Sequence, residues 1–262
     1  MKIKKISKQL FSILLAVILI CTTIINVNAK KKALMVLDPG HGTDYNYYVF
    51  ELDGTEYAEY QLNFKIAEYL YDILSNYDDI EVKMTKKTEE EHPGLKERVI
   101  KAKKYKKKTG LPTYLISLHN NARSDGGVEI VDDNQHGCMV LASNLNYKAK
   151  TQKKIDDLSR SIIYELSELG LYVNYPDNEG ILRRTSEVGK YPNGKKADYY
   201  ALIRHGVLQN IPTIIVEHAY MTDINDSRTF LLSDEGLKKL AIADAKAIVS
   251  FLGLEWNDDF VE

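Results

Sequence analysis

Three short apolar runs in this 262-residue chain each stop at an ionisable side chain, and that repetition constrains the fold more than any other feature. Leu34-Met35-Val36-Leu37 breaks at Asp38-Pro39-Gly40 into His41 and Gly42. Thr113 to Leu118 ends in His119, and Pro212 to Val216 ends in Glu217. Runs of this length, rich in branched residues and bounded by turn signals, read as buried strands. Open α/β sheets bind ligands at the carboxyl edge of their strands, so His41, His119 and Glu217 are expected along one edge. Side chains alternate along a strand, which sends Ser117 and His119 one way and Leu118 the other. By the same rule Glu217 and His218 face opposite sides, and the reading gives Glu217 to the site and His218 to the structure behind it. Gly40 and Gly42 lack a β-carbon, which frees the backbone around His41. A histidine in a glycine-rich turn also occurs with no ligand at all, so the first motif alone decides nothing.

The segments between these runs read as helices and further strands. Leu62, Ile66, Tyr69, Leu70 and Ile73 form one helical stripe that ends near Ser75-Asn76, and Glu59 opens the same stripe. A carboxylate turned inward needs a partner, and the helix amino terminus supplies only about 0.3–1 kcal/mol, which points to a cation. Turned outward, Glu59 is an ordinary first-turn residue. Ile80 to Thr85 alternates as an edge strand, and Leu95 to Lys108 reads as a helix with Leu95, Val99, Ala102 and Tyr105 inward, stopped by Gly110. Gly126 to Val131 and Gly137 to Ala142 read as two strands, and Lys148 to Leu169 as one long amphipathic helix. Thr43 to Tyr57 and Asn174 to Ala197 are expected as loops. Ser233 caps a last helix, and the tail after Gly253 is expected to fray.

The first 29 residues stand apart. Lys2, Lys4, Lys5 and Lys8 precede an apolar run from Leu10 to about Val27 and a small residue at Ala29, the pattern of a secretory signal peptide. The competing reading is an uncleaved membrane anchor. Cleavage leaves residues 30–262 as the mature, exported domain, with 31 basic residues (35 less those four lysines) against 37 acidic ones and a formal charge of −6. That balance excludes a global basic field for nucleic acid. Cys138 is then the one remaining thiol, so no intramolecular disulfide is possible, and its apolar setting reads as core. No linker or internal repeat divides the chain, which fits one α/β domain.

Two imidazoles and a carboxylate are the ligand set of a catalytic zinc site that keeps a fourth position open, and a further carboxylate near that position can move a proton. The ordered motifs Val36-Leu37-Asp38-Pro39-Gly40-His41-Gly42, Glu59 with Asn63, Ser117-Leu118-His119-Asn120-Asn121-Ala122, Gly127-Val128-Glu129 and Ile215-Val216-Glu217 resemble the bacterial zinc-dependent N-acetylmuramoyl-L-alanine amidases. The resemblance runs from about residue 33 to 252. It implies a single domain with a mixed, mostly parallel sheet flanked by helices on both faces. It implies His41, Glu59 and His119 as Zn2+ ligands and Glu217 as the catalytic acid and base; Asn120 and Arg204 are expected at the substrate. The implied substrate is peptidoglycan, cut at the amide between the lactyl group of N-acetylmuramic acid and L-alanine by a monomer secreted to the cell wall. Targeting would come from the domain itself, a protein activator or the membrane. The Arg183-Arg184 pair joins Arg204 as a candidate for stem-peptide carboxylates, set against plain surface arginines. His218 to Asp223 departs from the family pattern, with Asp223 where an asparagine is usual. A zinc hydrolase of the same fold acting on another amide, and a non-catalytic wall-binding module, are the alternative readings.

Overall fold

Strand β1 (Ala33–Pro39) is buried along its whole length. It lies inside a sheet whose two faces are both covered, which is why its sequence is continuously apolar up to Asp38. A computed structural model describes residues 31–43, 48–52, 54–123 and 135–261. After β1, the antiparallel pair β2 (Val49–Leu52) and β3 (Thr55–Ala58) leads into helix α1 (Glu59–Ser75). Part of the expected loop between Thr43 and Tyr57 is therefore a hairpin, where Phe50 is buried and stacks on Tyr57 at 5.4 Å. Next come β4 (Ile80–Met84), α2 (Leu95–Thr109), β5 (Thr113–Asn121) and β6 (Met139–Leu141). Helix α3 (Asp156–Glu168), strands β7 (Ile181–Leu182), β8 (Thr185–Lys190) and β9 (Lys196–Asp198), helix α4 (Ala201–Gln209), strand β10 (Thr213–Tyr220) and helix α5 (Asp234–Phe251) complete the order.

Six strands form the main sheet in the order β4-β1-β5-β10-β6-β7. All neighbouring pairs run parallel except β10 and β6. Alternate strand residues feed two cores. Met35, Leu37, Ile116, Leu118, Ile214 and Val216 pack under α1, α3 and α5, whereas Leu34, Val36, Leu115 and Ile215 pack under α2 and α4. This is the expected single α/β domain with a mixed, mostly parallel sheet between helices. No helix among the described residues is long and apolar enough to cross a membrane.

Several local expectations need correction. The helix predicted from Lys148 is broken: one turn at Ala149–Gln152 and a 3-10 turn at Lys153–Ile155 precede α3. Buried Gln152 donates Nε2 to Ile211 O at 3.3 Å there. Leu95 is 44% exposed, and the buried place on the inner stripe of α2 goes to Arg98 instead. The segment Asn174 to Ala197 holds β7 and most of the β8–β9 hairpin, where β7 and β9 are too short to show a period and β8 is mostly exposed and irregularly paired. The tail does not fray: Phe260 meets the Tyr77 ring edge-on at 4.9 Å, and Asn257 N donates to Tyr77 Oη at 3.1 Å. The predicted strand at Gly126 to Val131 and the segment Met1 to Ala29 lie outside the described residues.

Candidate metal centre and active site

The carboxyl ends of β1, β5 and β10 bring His41, His119 and Glu217 to one edge of the sheet, and the first residue of α1 delivers Glu59 to the same place. Glu59 turns inward and is only 2% exposed. Its Oε2 lies 3.1 Å from His41 Nε2 and its Oε1 lies 3.2 Å from His119 Nδ1. The two imidazoles meet edge to face at 4.7 Å, and one ligand-type atom from each of the three residues lies within 4.8 Å of the others. Burial works against the Glu59 charge, but the hydrogen bonds from His119 and His41 outweigh it and hold the carboxyl at about 2. Burial also lowers His119, with Glu59 opposing, which favours the neutral ring. Two imidazole nitrogens and an ionised carboxylate converging on one point fit a zinc ion with an open coordination position.

Local strain and close packing set the histidines. His41 adopts φ 59°, a left-handed conformation that costs a non-glycine residue on the order of 1–3 kcal/mol and persists only where neighbours enforce it. Its carbonyl accepts from Lys86 Nζ at 3.0 Å and from Arg98 Nη2 at 3.3 Å. Arg98 also donates to Pro39 O at 3.3 Å and Pro93 O at 2.7 Å and pairs with Asp38 at 3.5 Å. Asp38 in turn accepts from Thr85 Oγ1 and, at 2.7 Å, from Ser117 Oγ. The glycines serve closeness: a β-carbon on Gly40 would stand 2.3 Å from His119 Cε1, and one on Gly42 would stand 2.6 Å from Glu91 O. The positive φ belongs to His41 itself.

Behind Glu59, Asn63 Nδ2 donates to Glu59 Oε1 at 3.2 Å, and Asn120 Nδ2 donates to Asn63 Oδ1 at 2.9 Å. Asn120, expected at the substrate, is buried in this scaffold. Arg204 Nη1 donates to Asp198 O at 3.2 Å. Behind His119, the fully buried His218 sends Nδ1 to His119 O at 2.9 Å and Nε2 to Asp244 Oδ2 at 2.8 Å. Burial pushes the His218 ring down, but Asp244 more than compensates and the pKa of the ring is raised. Sequence reasoning missed Lys86, Arg98 and Asp244. The one available signal was a lone arginine in the lysine-rich helix α2.

Glu217 pairs in register with His119 on β5, so the ladder presents both to the same side. Its side chain is partly exposed, and no hydrogen bond to it is seen among the described residues. Burial, with the Glu59 charge nearby, pushes its carboxyl well above 4.5. The unusual Asp223 caps the turn that follows, accepting from Asn225 N at 3.0 Å and Asp226 N at 2.8 Å, a task that an asparagine oxygen performs equally.

A mixed α/β sheet that gathers two imidazoles and two carboxylates at its carboxyl edge is the framework of a hydrolase. The chain belongs to the N-acetylmuramoyl-L-alanine amidase family, whose model (Amidase_3) matches residues 35–250. Comparison with curated protein sequences finds no match. Among solved structures the fold is similar to that of Cwp6 from Clostridium difficile, at 23% identity and TM-score 0.62 over 83% of this chain and 29% of that one. It is similar to the N-acetylmuramoyl-L-alanine amidase from Clostridium difficile 630, at 20% identity and TM-score 0.62 over 86% of this chain and 100% of that one. The CwlD amidase from Clostridioides difficile, solved in complex with the GerS lipoprotein, aligns at 18% identity and TM-score 0.56 over 85% of this chain and 100% of its own. The chain thus spans less than a third of the length of Cwp6 but the full length of the other two.

Proposed function

We propose that this protein is a zinc-dependent amidase that cleaves peptidoglycan between the lactyl group of N-acetylmuramic acid and the L-alanine of the stem peptide. The observation that carries this reading is the convergence of His41, Glu59 and His119 beside Glu217, in a chain of the N-acetylmuramoyl-L-alanine amidase family. His41, Glu59 and His119 would hold the ion. Bound there, zinc supplies Lewis acidity to the scissile carbonyl and makes the attacking water easier to deprotonate. Glu217 takes the proton of that water on a carboxylate oxygen and returns it to the departing amine nitrogen. A carboxyl raised by burial is a stronger base than a free one, and the absence of a hydrogen bond to it among the described residues leaves its oxygens open to water. Asn63 and Asn120 orient Glu59, while His218 fixes the peptide that carries His119.

The lysine-flanked apolar run supports export of this activity to the cell wall, with a mature chain that begins near Lys30. Amino-terminal sequencing of wall and membrane fractions tests it, and an intact Met1 on membrane-bound protein would mean an anchor. The likeness to CwlD, solved with a lipoprotein, supports including a protein partner in the reading. The decisive experiment for the activity is mass spectrometry of peptidoglycan digested by the zinc-loaded enzyme. New free amino termini on L-alanine are expected, and cuts within the stem peptide would replace this reading by that of a different hydrolase on the same fold.

A further inference from the structure

Three arginines lie near the segment that follows β6, and the structure separates them. Arg183 is committed within the fold, with Nη2 paired to Asp156 Oδ1 at 2.9 Å and Nη1 donating to Ser143 O. Arg204 is tied to the Asp198 carbonyl. Arg184 is exposed, and no carboxylate pairs with it among the described residues. Its position is nonetheless defined: its guanidinium carbon lies 3.9 Å from the centroid of the Tyr199 ring, and Tyr200 lies beside it. Tyr199 N donates to Arg184 O at 3.0 Å, and the Tyr199 and Tyr200 rings meet edge to face at 5.1 Å.

Topology puts this group beside the active site. Tyr200 is the residue before α4, and α4 returns through Asn210-Ile211-Pro212 directly into its neighbour β10. The helix therefore runs against β10, and its first residue lies level with the strand's carboxyl end, where Glu217 sits. Tyr200 also packs on the core that holds Ile215, which shares a strand face with Glu217. Burial raises the Tyr200 phenol, Arg184 opposes that rise, and the negative charge of Glu217 adds to it, as expected of neighbours.

We propose that Arg184, stacked on Tyr199, binds a free carboxylate of the peptide on the amine side of the scissile amide. This rests on the amidase reading above. In that substrate the acyl side is a sugar whose lactyl carboxyl is consumed in the amide, so a carboxylate beside the bond comes from the peptide. A guanidinium presents a rigid fork that matches a carboxylate with two hydrogen bonds, and stacking it in advance reduces the entropy lost on pairing.

The test uses the mature, zinc-loaded enzyme and two synthetic muropeptides that differ at one group. In one the stem residue after L-alanine bears a free carboxylate, and in the other that group is an amide. The wild type should favour the free acid in kcat/KM by about tenfold to a hundredfold, the range for a hydrogen-bonded charge pair. Arg184→Gln should erase that ratio, mainly by raising KM for the free acid, while the thermal midpoint stays put because the side chain is exposed. Arg184→Lys should restore only part of the ratio, since it keeps the charge but loses fork and stack. Arg160→Gln, at an exposed arginine paired to Asp157 and Glu179, should keep the wild-type ratio. A wild-type ratio near one, or an Arg184→Gln enzyme that keeps the wild-type ratio, overturns the assignment. Failure of the wild type to cut either compound overturns the amidase reading itself and the assignment with it.

Discussion

His119 and Glu217 are register partners on adjacent parallel strands, so one ladder fixes the distance between an imidazole of the metal cluster and the group assigned to move protons. The pairing separates their roles. Glu217→Gln should keep the fold and full zinc content while turnover drops by roughly 10²–10⁴-fold, the usual contribution of a general acid or base. Burial and the Glu59 charge raise the Glu217 carboxyl in the metal-free protein, so there it should take up its proton above the ordinary carboxylate range as pH falls, and bound zinc should lower that point. Rates and metal content measured on the same samples decide it. A metal-free Glu217→Gln protein would make Glu217 a ligand.

Glu59→Gln should lose zinc and activity together, because a neutral amide is a poorer ligand than the ionised carboxylate found between the two histidines. His41→Ala and His119→Ala should do the same. Elemental analysis after dialysis is the check, and stoichiometric zinc in both histidine variants would dissolve the proposed ligand set.

Gly40→Ala changes no chemical group at the site yet should impair it. The added methyl meets the His119 ring at 2.3 Å, so the imidazole or the turn must shift. Overpacking of this kind costs about 1–3 kcal/mol in stability. Zinc affinity should fall as well, and unchanged affinity measured by competition with a chelating dye would show that the ring moves aside freely.

Arg98→Ala should be among the most destabilising single changes in the domain. It removes the cation paired with the buried Asp38, leaves the carbonyls of Pro39 and Pro93 without this donor and leaves that of His41 with Lys86 alone. Breaking a buried pair by removing one partner costs about 3–5 kcal/mol. The denaturant midpoint should drop accordingly with little change in the slope of the transition.

Cys138 is buried, and burial pushes its thiol up to about 12. In the chain from Lys30 onward, iodoacetamide at pH 8 should leave it unmodified until the protein unfolds. Rapid labelling of the native state would mean that β6 opens locally.

The strands that carry the site were legible because each ends an apolar run at one ionisable residue, and the inward stripe of α1 already contained Glu59. What holds those residues in place was not legible. Arg98 occupies a helical position that periodicity assigns to an apolar side chain, and only the Asp38 carboxylate with three carbonyls nearby makes its burial affordable. The role of Asp244 depends on a contact with His218 that spans 26 residues, which no local pattern encodes. At the break before α3, Gln152 is bound to Ile211 O, a residue distant in the chain. Strands of two or three residues such as β7 and β9 carry too few side chains for alternation to show.

Strand β10 sends Glu217 into the cleft and His218 back toward Asp244, two assignments separated by a single peptide. A slip of one residue in its pairing would exchange them, seating an imidazole in the cleft and a carboxylate against Asp244 in the interior. The stretch Pro212 to Val216 is thus a ruler as well as a strand. It can change its apolar letters with modest loss, but insertion or deletion of one residue there should silence the enzyme although every functional side chain is still present.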